Sequence, residues 1–278
     1  MKLWLVWIGC VLNLRKPTKT TTKVTKQCIR CWNQQKTAKP FEAPLSRFII
    51  SKDLNDQQMT STVNRRVTIL TRTLLINCYQ SEKISSLRDT LNKFTNCRVV
   101  SYEKIQSGYQ IASDINAVVI SGSEARIVNP QDKAKYEGVI QLMKNCSLPL
   151  LAICFGHQLL CSAFGAKTGT LPQPVIDKFE QVNVLQTGDI FARFKQGQNL
   201  QLAQWHNDYV LKESLDVAGF NLLADSASCP VEAVKHKTRL LFGVQFHPER
   251  ATIKNETHPE GHKIIENFYV NNVVRLGL

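Results

Sequence analysis

The 278-residue sequence lacks three features that would place it in large classes of protein. It has no run approaching the ~20 apolar residues that cross a bilayer, so we do not expect a membrane protein. It has no glycine-rich phosphate loop, so we expect no ATP site in this chain. Cys28 and Cys31 have half the spacing of a zinc site but no second pair at a suitable distance, and structural zinc takes four ligands. We therefore predict no metal and no cofactor.

A disulfide framework is not expected either. The nine cysteines are odd in number, scattered along the chain and mostly set within apolar segments. This usage is typical of proteins kept in a reducing interior. We therefore expect the protein in the cytoplasm, with an organelle as the alternative.

Acidic residues are almost absent from the first 50 positions, which hold ten Lys and Arg against Glu42 alone. The net charge of the whole chain is +13, and the remaining residues contribute only +4 of it. We predict that residues 1–65 are a basic, disordered extension, with organelle targeting as the alternative role, and that residues 66–278 form one domain. Nucleic-acid binding is not expected, because the folded part shows no basic face with interleaved aromatic residues.

The pattern of residues 66–278 predicts an α/β fold. Apolar strands are predicted at residues 74–79, 99–102, 117–121 and 148–153, with helices at 84–94, about 130–143 and 157–164. Continuous apolar strands separated by helices indicate a mostly parallel central sheet that is covered on both faces. Shorter β-rich segments follow residue 171, and residues 261–274 are predicted to form a closing helix.

Cys154 is the candidate nucleophile. It follows the apolar run 150–153, at the strand end where α/β proteins bind their ligands. The small residues Ala152 and Gly156 on either side permit a strained strand-to-helix turn that exposes the sulfur. The amino terminus of the following helix favours the thiolate. The alternative is a buried structural cysteine, which is how we interpret Cys161 on the same helix.

A candidate base lies far along the chain. His247 directly follows the apolar run 240–246, and Pro248 stiffens the turn that presents Glu249 to the imidazole. A cysteine, a histidine and a carboxylate in these roles form a catalytic triad, whose members meet in space and not in sequence. We predict a triad of Cys154, His247 and Glu249.

Two segments resemble the signature motifs of the class I, or triad-type, glutamine amidotransferases. They are Ala-Ile-Cys-Phe-Gly-His-Gln-Leu around Cys154 and Gly-Val-Gln-Phe-His-Pro-Glu ending at Glu249, and the likeness covers roughly residues 73–275. Within the family, the chain is most similar to the amidotransferase part of GMP synthase, through the segments 205–208 and 228–234. The resemblance implies a flavodoxin-like fold and hydrolysis of L-glutamine, with ammonia passed to an ATP-using synthetase on a separate chain.

The resemblance also implies roles for further residues. Backbone N–H groups of Phe155, Gly122 and Ser123 would form the oxyanion hole, and Gln158, His206 and Asp208 would bind substrate or shape the acceptor side. The sequence departs from the family at Ala152, where glycine is usual, and at residues 121–126, where the family has a Gly-Gly-Pro-Gly-like loop. Two alternatives remain: a γ-glutamyl amide hydrolase without a partner, and a catalytically silent binding module.

Overall fold

The computed structural model of the chain describes residues 71–81 and 84–274. The predicted basic extension, with its Cys28 and Cys31, lies outside these residues. None of the helices in the described part is long and apolar enough to cross a membrane.

Within the described residues, nine strands form one continuous sheet. The strands are β1 (Arg72–Asn77), β2 (Asn96–Ser101), β3 (Ala117–Ile120), β4 (Leu150–Ile153), β5 (Thr168–Val184), β6 (Asn199–Val210), β7 (Phe220–Ser226), β8 (Ala233–His236) and β9 (Leu241–Val244). Their order is β2-β1-β3-β4-β9-β8-β7-β5-β6. The neighbours from β2 to β9 are parallel, and those from β9 to β6 are antiparallel. Strands β10 (Thr252–Ile253) and β11 (Glu256–Thr257) make a separate hairpin.

Helices cover the parallel half of the sheet on both faces. They are α1 (Ser85–Leu91), α2 (Pro130–Ala134), α3 (Glu137–Asn145), α4 (Phe155–Ala163) and α5 (Glu260–Phe268), which continues as a π-helical turn over Tyr269–Val273. Alternate residues of each strand enter different cores: Leu74 packs with the α3 and α4 side, and Leu75 with the α1 and α5 side. The α/β fold with a mostly parallel centre and a β-rich C-terminal part is thus confirmed.

The helix predicted over residues 130–143 is wrong as a single element. Asn129 caps it as expected, with its side chain accepting from the backbone N–H of Gln131, but the structure divides it between α2 and α3 at Tyr136. The Tyr136 side chain is buried, and its hydroxyl donates to the carbonyl oxygen of Cys78 at 2.8 Å. A tertiary contact of this kind overrides the helix-forming tendency of the local sequence.

The short segments predicted after residue 171 are parts of longer strands. Strand β5 runs for 17 residues and β6 for 12. Pro172 and Pro174 interrupt the sequence pattern of β5, and the pairing of β5 with β6 shifts register on either side of Val175 and Ile176. Because prolines and bulges break the alternation that marks a strand, the pattern shows only its regular part.

Candidate active site

Cys154 lies at a sharp turn between β4 and α4. Its backbone has φ 51° and ψ −110°, a conformation that costs a non-glycine residue free energy and is held only by the surrounding structure. The backbone N–H of Cys154 donates to the carbonyl oxygen of Val244 in β9 at 2.8 Å, which fixes the turn. A Cβ on Gly156 would lie 2.9 Å from the carbonyl oxygens of Ile120 and Ser121, so the turn has room for glycine alone.

His247 and Glu249 follow the end of β9, the strand next to β4. Nδ1 of His247 lies 2.9 Å from Oε1 of Glu249, and both residues are buried. The other side of the imidazole is hydrogen-bonded to Cys154. Burial by itself lowers the pKa of His247, but the negative charges of Glu249 and Cys154 and the hydrogen bonds to both outweigh it and raise the pKa to about 10. At neutral pH the imidazole is therefore protonated and faces the sulfur as a cation.

Two further groups contact the sulfur of Cys154. Its Sγ lies 3.5 Å from the carbonyl oxygen of Trp205, to which the thiol donates, and Nε2 of Gln245 lies 3.8 Å from Sγ. The sequence analysis gave Gln245 no role. Its position two residues before His247 was the available signal, because alternate residues of an extended chain point to the same side.

The loop after β3 lies against His247. A Cβ on Gly122 would be 2.8 Å from the Tyr79 hydroxyl and 3.3 Å from Cε1 of His247, so only glycine fits there. Serine hydroxyls fix the neighbouring positions: Ser121 accepts from the N–H of Cys78 and donates to the carbonyl oxygen of Gly122, and Ser123 bonds the Tyr136 hydroxyl at 2.9 Å. These contacts stabilise a loop whose sequence departs from the family pattern. The role of its N–H groups as oxyanion donors stays a prediction.

Asp208 has partners within the protein. Its carboxylate accepts two hydrogen bonds from Arg126, from Nε at 2.8 Å and from a terminal nitrogen at 2.5 Å, and a third from the Thr170 hydroxyl. Asp208 is buried, whereas the Arg126 side chain is partly exposed. The pair joins the loop after β3 to strand β6. This contact was not foreseen from sequence, because its two residues are 82 positions apart.

Gln158 and His206 meet at the backbone of Asp208. Nε2 of Gln158 donates to the carbonyl oxygen of Asp208 at 2.7 Å and to Oε1 of Gln245 at 3.0 Å. Nδ1 of His206 lies 3.2 Å from the same carbonyl oxygen. The nitrogen of the Gln158 amide and the carboxylate of Asp208 are thus engaged inside the protein. Substrate contact by Gln158, His206 and Asp208 stays a prediction.

One group of metal-ligating side chains lies beside this centre. Ligand atoms of His206, Cys229 and Glu232, all buried, lie within 4.8 Å of one another. The first of these residues directly follows Trp205, whose carbonyl oxygen accepts from Cys154.

A comparison with protein families assigns the class. Residues 74–272, more than half of the chain, match the model of the family "Glutamine amidotransferase class-I". The chain therefore belongs to the class I glutamine amidotransferases, as its two motifs indicated.

Relatives with names narrow the likeness further. The chain is 34% identical over 167 residues to a subunit of the glutamine-hydrolysing GMP synthase of Methanocaldococcus jannaschii, which covers 60% of this chain and 77% of that protein. Over 122 residues it is 38% identical to the protein of the same name from Thermococcus kodakarensis, which covers 44% of this chain and 59% of the relative's length.

Solved structures share the fold. A crystal structure from Thermoplasma acidophilum, described as that of a GMP synthase subunit, superposes with a TM-score of 0.63 at 23% identity, covering 75% of this chain and 96% of the other. A glutamine amidotransferase from Thermotoga maritima superposes with a TM-score of 0.55 at 19% identity, covering 65% of this chain and 76% of the other.

Proposed function

We propose that this protein hydrolyses the side-chain amide of L-glutamine with Cys154 as nucleophile, His247 as acid and base, and Glu249 as the residue that orients the histidine. The observation that carries the proposal is the continuous line of contacts from the strained turn at Cys154 through the imidazole to the carboxylate. A buried structural cysteine needs neither a backbone with positive φ nor a protonated histidine opposite its sulfur.

The reaction follows from this pairing. The Cys154 thiolate attacks the amide carbon of glutamine and forms a tetrahedral intermediate. His247 gives its proton to the nitrogen, the C–N bond breaks, and ammonia leaves a γ-glutamyl thioester on Cys154. His247, now neutral, takes a proton from water as the water attacks the thioester, and the C–S bond breaks to release glutamate.

The negative oxygen of each tetrahedral intermediate requires donors. The N–H of Phe155, at the amino terminus of α4, and those of Gly122 and Ser123 in the loop beside His247 are the proposed oxyanion hole. One such donor contributes about 3 kcal/mol to the transition state. Support for the loop comes from the position of Gly122 against the His247 ring.

The ammonia is proposed to pass to an ATP-using synthetase on a separate chain, of the GMP synthase type. The support is the likeness to relatives that are named as one subunit of a glutamine-hydrolysing GMP synthase. The sequence itself holds no glycine-rich phosphate loop that would supply the ATP chemistry.

The test is glutamate release from glutamine by the wild-type protein, Cys154→Ala and Cys97→Ala. Cys97 is half-buried on β2 and contacts none of the triad, so its variant is the matched control. We expect release to fall by at least about 10³-fold in Cys154→Ala and to persist in Cys97→Ala. Release that survives the loss of Cys154 would disprove the assignment.

A protein that waits for its synthetase would release little glutamate by itself. A glutamine-like electrophile then separates this case from a silent binding module, because it alkylates a reactive Cys154 without a partner. A panel of other γ-glutamyl amides tests the alternative of a hydrolase that needs no synthetase.

A further inference from the structure

Three buried side chains next to the active site take no part in the proposed hydrolysis. His206 is in β6, Cys229 is in the turn after β7, and Glu232 directly precedes β8. Their exposed fractions are 4%, 0% and 0%, and their ligand atoms lie within 4.8 Å of one another. The antiparallel half of the sheet thus brings one nitrogen, one sulfur and one oxygen ligand to a single point.

Two of these ligand atoms have no hydrogen-bond partner among the described residues. They are Nε2 of His206 and Oε2 of Glu232. Buried polar atoms in folded proteins nearly always have a partner, and a bound ion is one of the recognised explanations for an exception. The two atoms without a partner belong to the same cluster, so a single occupant would satisfy both.

The other ends of the same side chains are held by the surrounding protein. Nδ1 of His206 lies 3.2 Å from the carbonyl oxygen of Asp208, which accepts its hydrogen and leaves the lone pair on Nε2. Oε1 of Glu232 accepts from Gln204 at 2.9 Å and from Ser226 at 2.8 Å. Metal-binding histidines and carboxylates are typically oriented by outer hydrogen bonds of this kind.

We propose that His206, Cys229 and Glu232 bind a zinc ion. Imidazole, thiolate and carboxylate are the ligands that Zn²⁺ prefers, at distances of ~2.0–2.3 Å, and three protein ligands leave a fourth position for water. On binding, the Cys229 thiol releases its proton to solvent as the S–Zn bond forms. Burial lowers the pKa of His206 to about 4, so its ring is neutral and ready to bind a metal. The site departs from our expectation of no metal, which considered spacing along the sequence only.

Binding at this site does not depend on the proposed glutaminase, and it is measured without glutamine. The reference protein is the full chain with Cys28→Ser and Cys31→Ser, which removes the other thiol pair with zinc-like spacing. After removal of metal with a chelator, Zn²⁺ is titrated in competition with a chromophoric chelator. Co²⁺ is titrated separately, because a thiolate ligand gives cobalt a charge-transfer absorption in the near ultraviolet.

We expect one Zn²⁺ per chain and a thiolate-to-cobalt band. Cys229→Ala should abolish the band and weaken Zn²⁺ binding by at least ~100-fold, and the isosteric Glu232→Gln should weaken it by at least ~10-fold. Cys97→Ala, which removes a thiol from β2, should change neither. Circular dichroism verifies that each variant is folded, and Glu232→Gln keeps the test decisive if Cys229→Ala is not.

Absence of stoichiometric Zn²⁺ binding in the reference protein would overturn the proposal. Binding that is unchanged in both Cys229→Ala and Glu232→Gln would overturn it too. In either case the two polar atoms without a partner would be bridged by a buried water, with Glu232, whose pKa burial raises to about 7, supplying a proton.

Discussion

At the scale of single residues, the proposed chemistry depends on the charge of His247. Its pKa of about 10 is produced by Glu249 and Cys154 against the opposing effect of burial. A cation of this kind holds the sulfur as a thiolate and carries the proton that the departing ammonia needs. Glu249 therefore has two effects: it orients the ring through Nδ1, and it keeps the ring charged.

Replacement of Glu249 by glutamine tests both effects. Glu249→Gln keeps the shape of the side chain but removes its charge, so we expect the pKa of His247 to fall and glutaminase activity to drop on the order of 10³-fold. Glutamate release and alkylation of Cys154 by the glutamine-like electrophile measure the two effects. Glu256→Gln, which removes an exposed carboxylate on β11, is the control.

The same substitution changes the pH dependence of stability. A histidine with a folded pKa of about 10 and an unfolded pKa of about 6.5 stabilises the fold fully below about 6.5 and loses that contribution as pH rises through about 10. In Glu249→Gln the loss should be smaller and should end at lower pH. Denaturant unfolding across this pH range measures it, and identical pH profiles for variant and wild type would contradict the assigned charge.

At the scale of elements, the turn from β4 to α4 positions the nucleophile. The turn passes close to the end of β3, where Gly156 meets the carbonyl oxygens of Ile120 and Ser121. Carbonyl oxygens of the backbone cannot move aside as a side chain can. The position of the sulfur therefore depends on the absence of a Cβ at residue 156.

Gly156→Ala should displace this turn. We expect a loss of about 1–3 kcal/mol in the free energy of unfolding, together with a loss of activity per folded molecule. Gly197→Ala is the matched control: Gly197 has φ +78° and no heavy atom within 4 Å of an added Cβ, so it should lose stability while activity per folded molecule persists. Unfolding curves and glutamate release separate the two results, and equal activity in both variants would contradict the role of the turn.

At the scale of the whole molecule, one ion pair joins the two halves of the sheet. Arg126 follows β3 in the parallel half, and Asp208 lies in β6, the strand at the antiparallel edge. A buried carboxylate that loses its cation is left without compensation for its desolvation. The pair therefore holds the loop beside His247 against the strand that carries His206.

Arg126→Met tests this connection. We expect the free energy of unfolding to fall by about 2–3 kcal/mol, less than the ~3–5 kcal/mol of a fully buried pair because Arg126 is partly exposed. Addition of Asp208→Asn should recover part of the loss. Arg72→Met breaks the exposed pair with Asp114 and should change stability by less than about 1 kcal/mol. Equal losses in Arg126→Met and Arg72→Met would contradict the structural role of the buried pair.

Local sequence determined the fold class, the family and the candidate nucleophile, base and orienting carboxylate. Apolar runs mark buried strands through burial alone, and the residues from Ala152 to Gln158 and from Gln245 to Glu249 are each contiguous, so their pattern is readable without a structure. The limits of this information appear at Tyr136, where a buried hydroxyl divides a predicted helix, and in β5, where prolines hide a long strand.

Tertiary structure alone decided which distant residues meet. Arg126 and Asp208, and likewise His206 and Glu232, are separated by many residues, and neither pair has a spacing that a motif could record. They come together because the sheet curls, which brings β6 near both the start of β8 and the loop after β3. The triad proposed for glutamine hydrolysis was therefore predictable from sequence, whereas the ion pair and the proposed zinc site depend on the folded sheet.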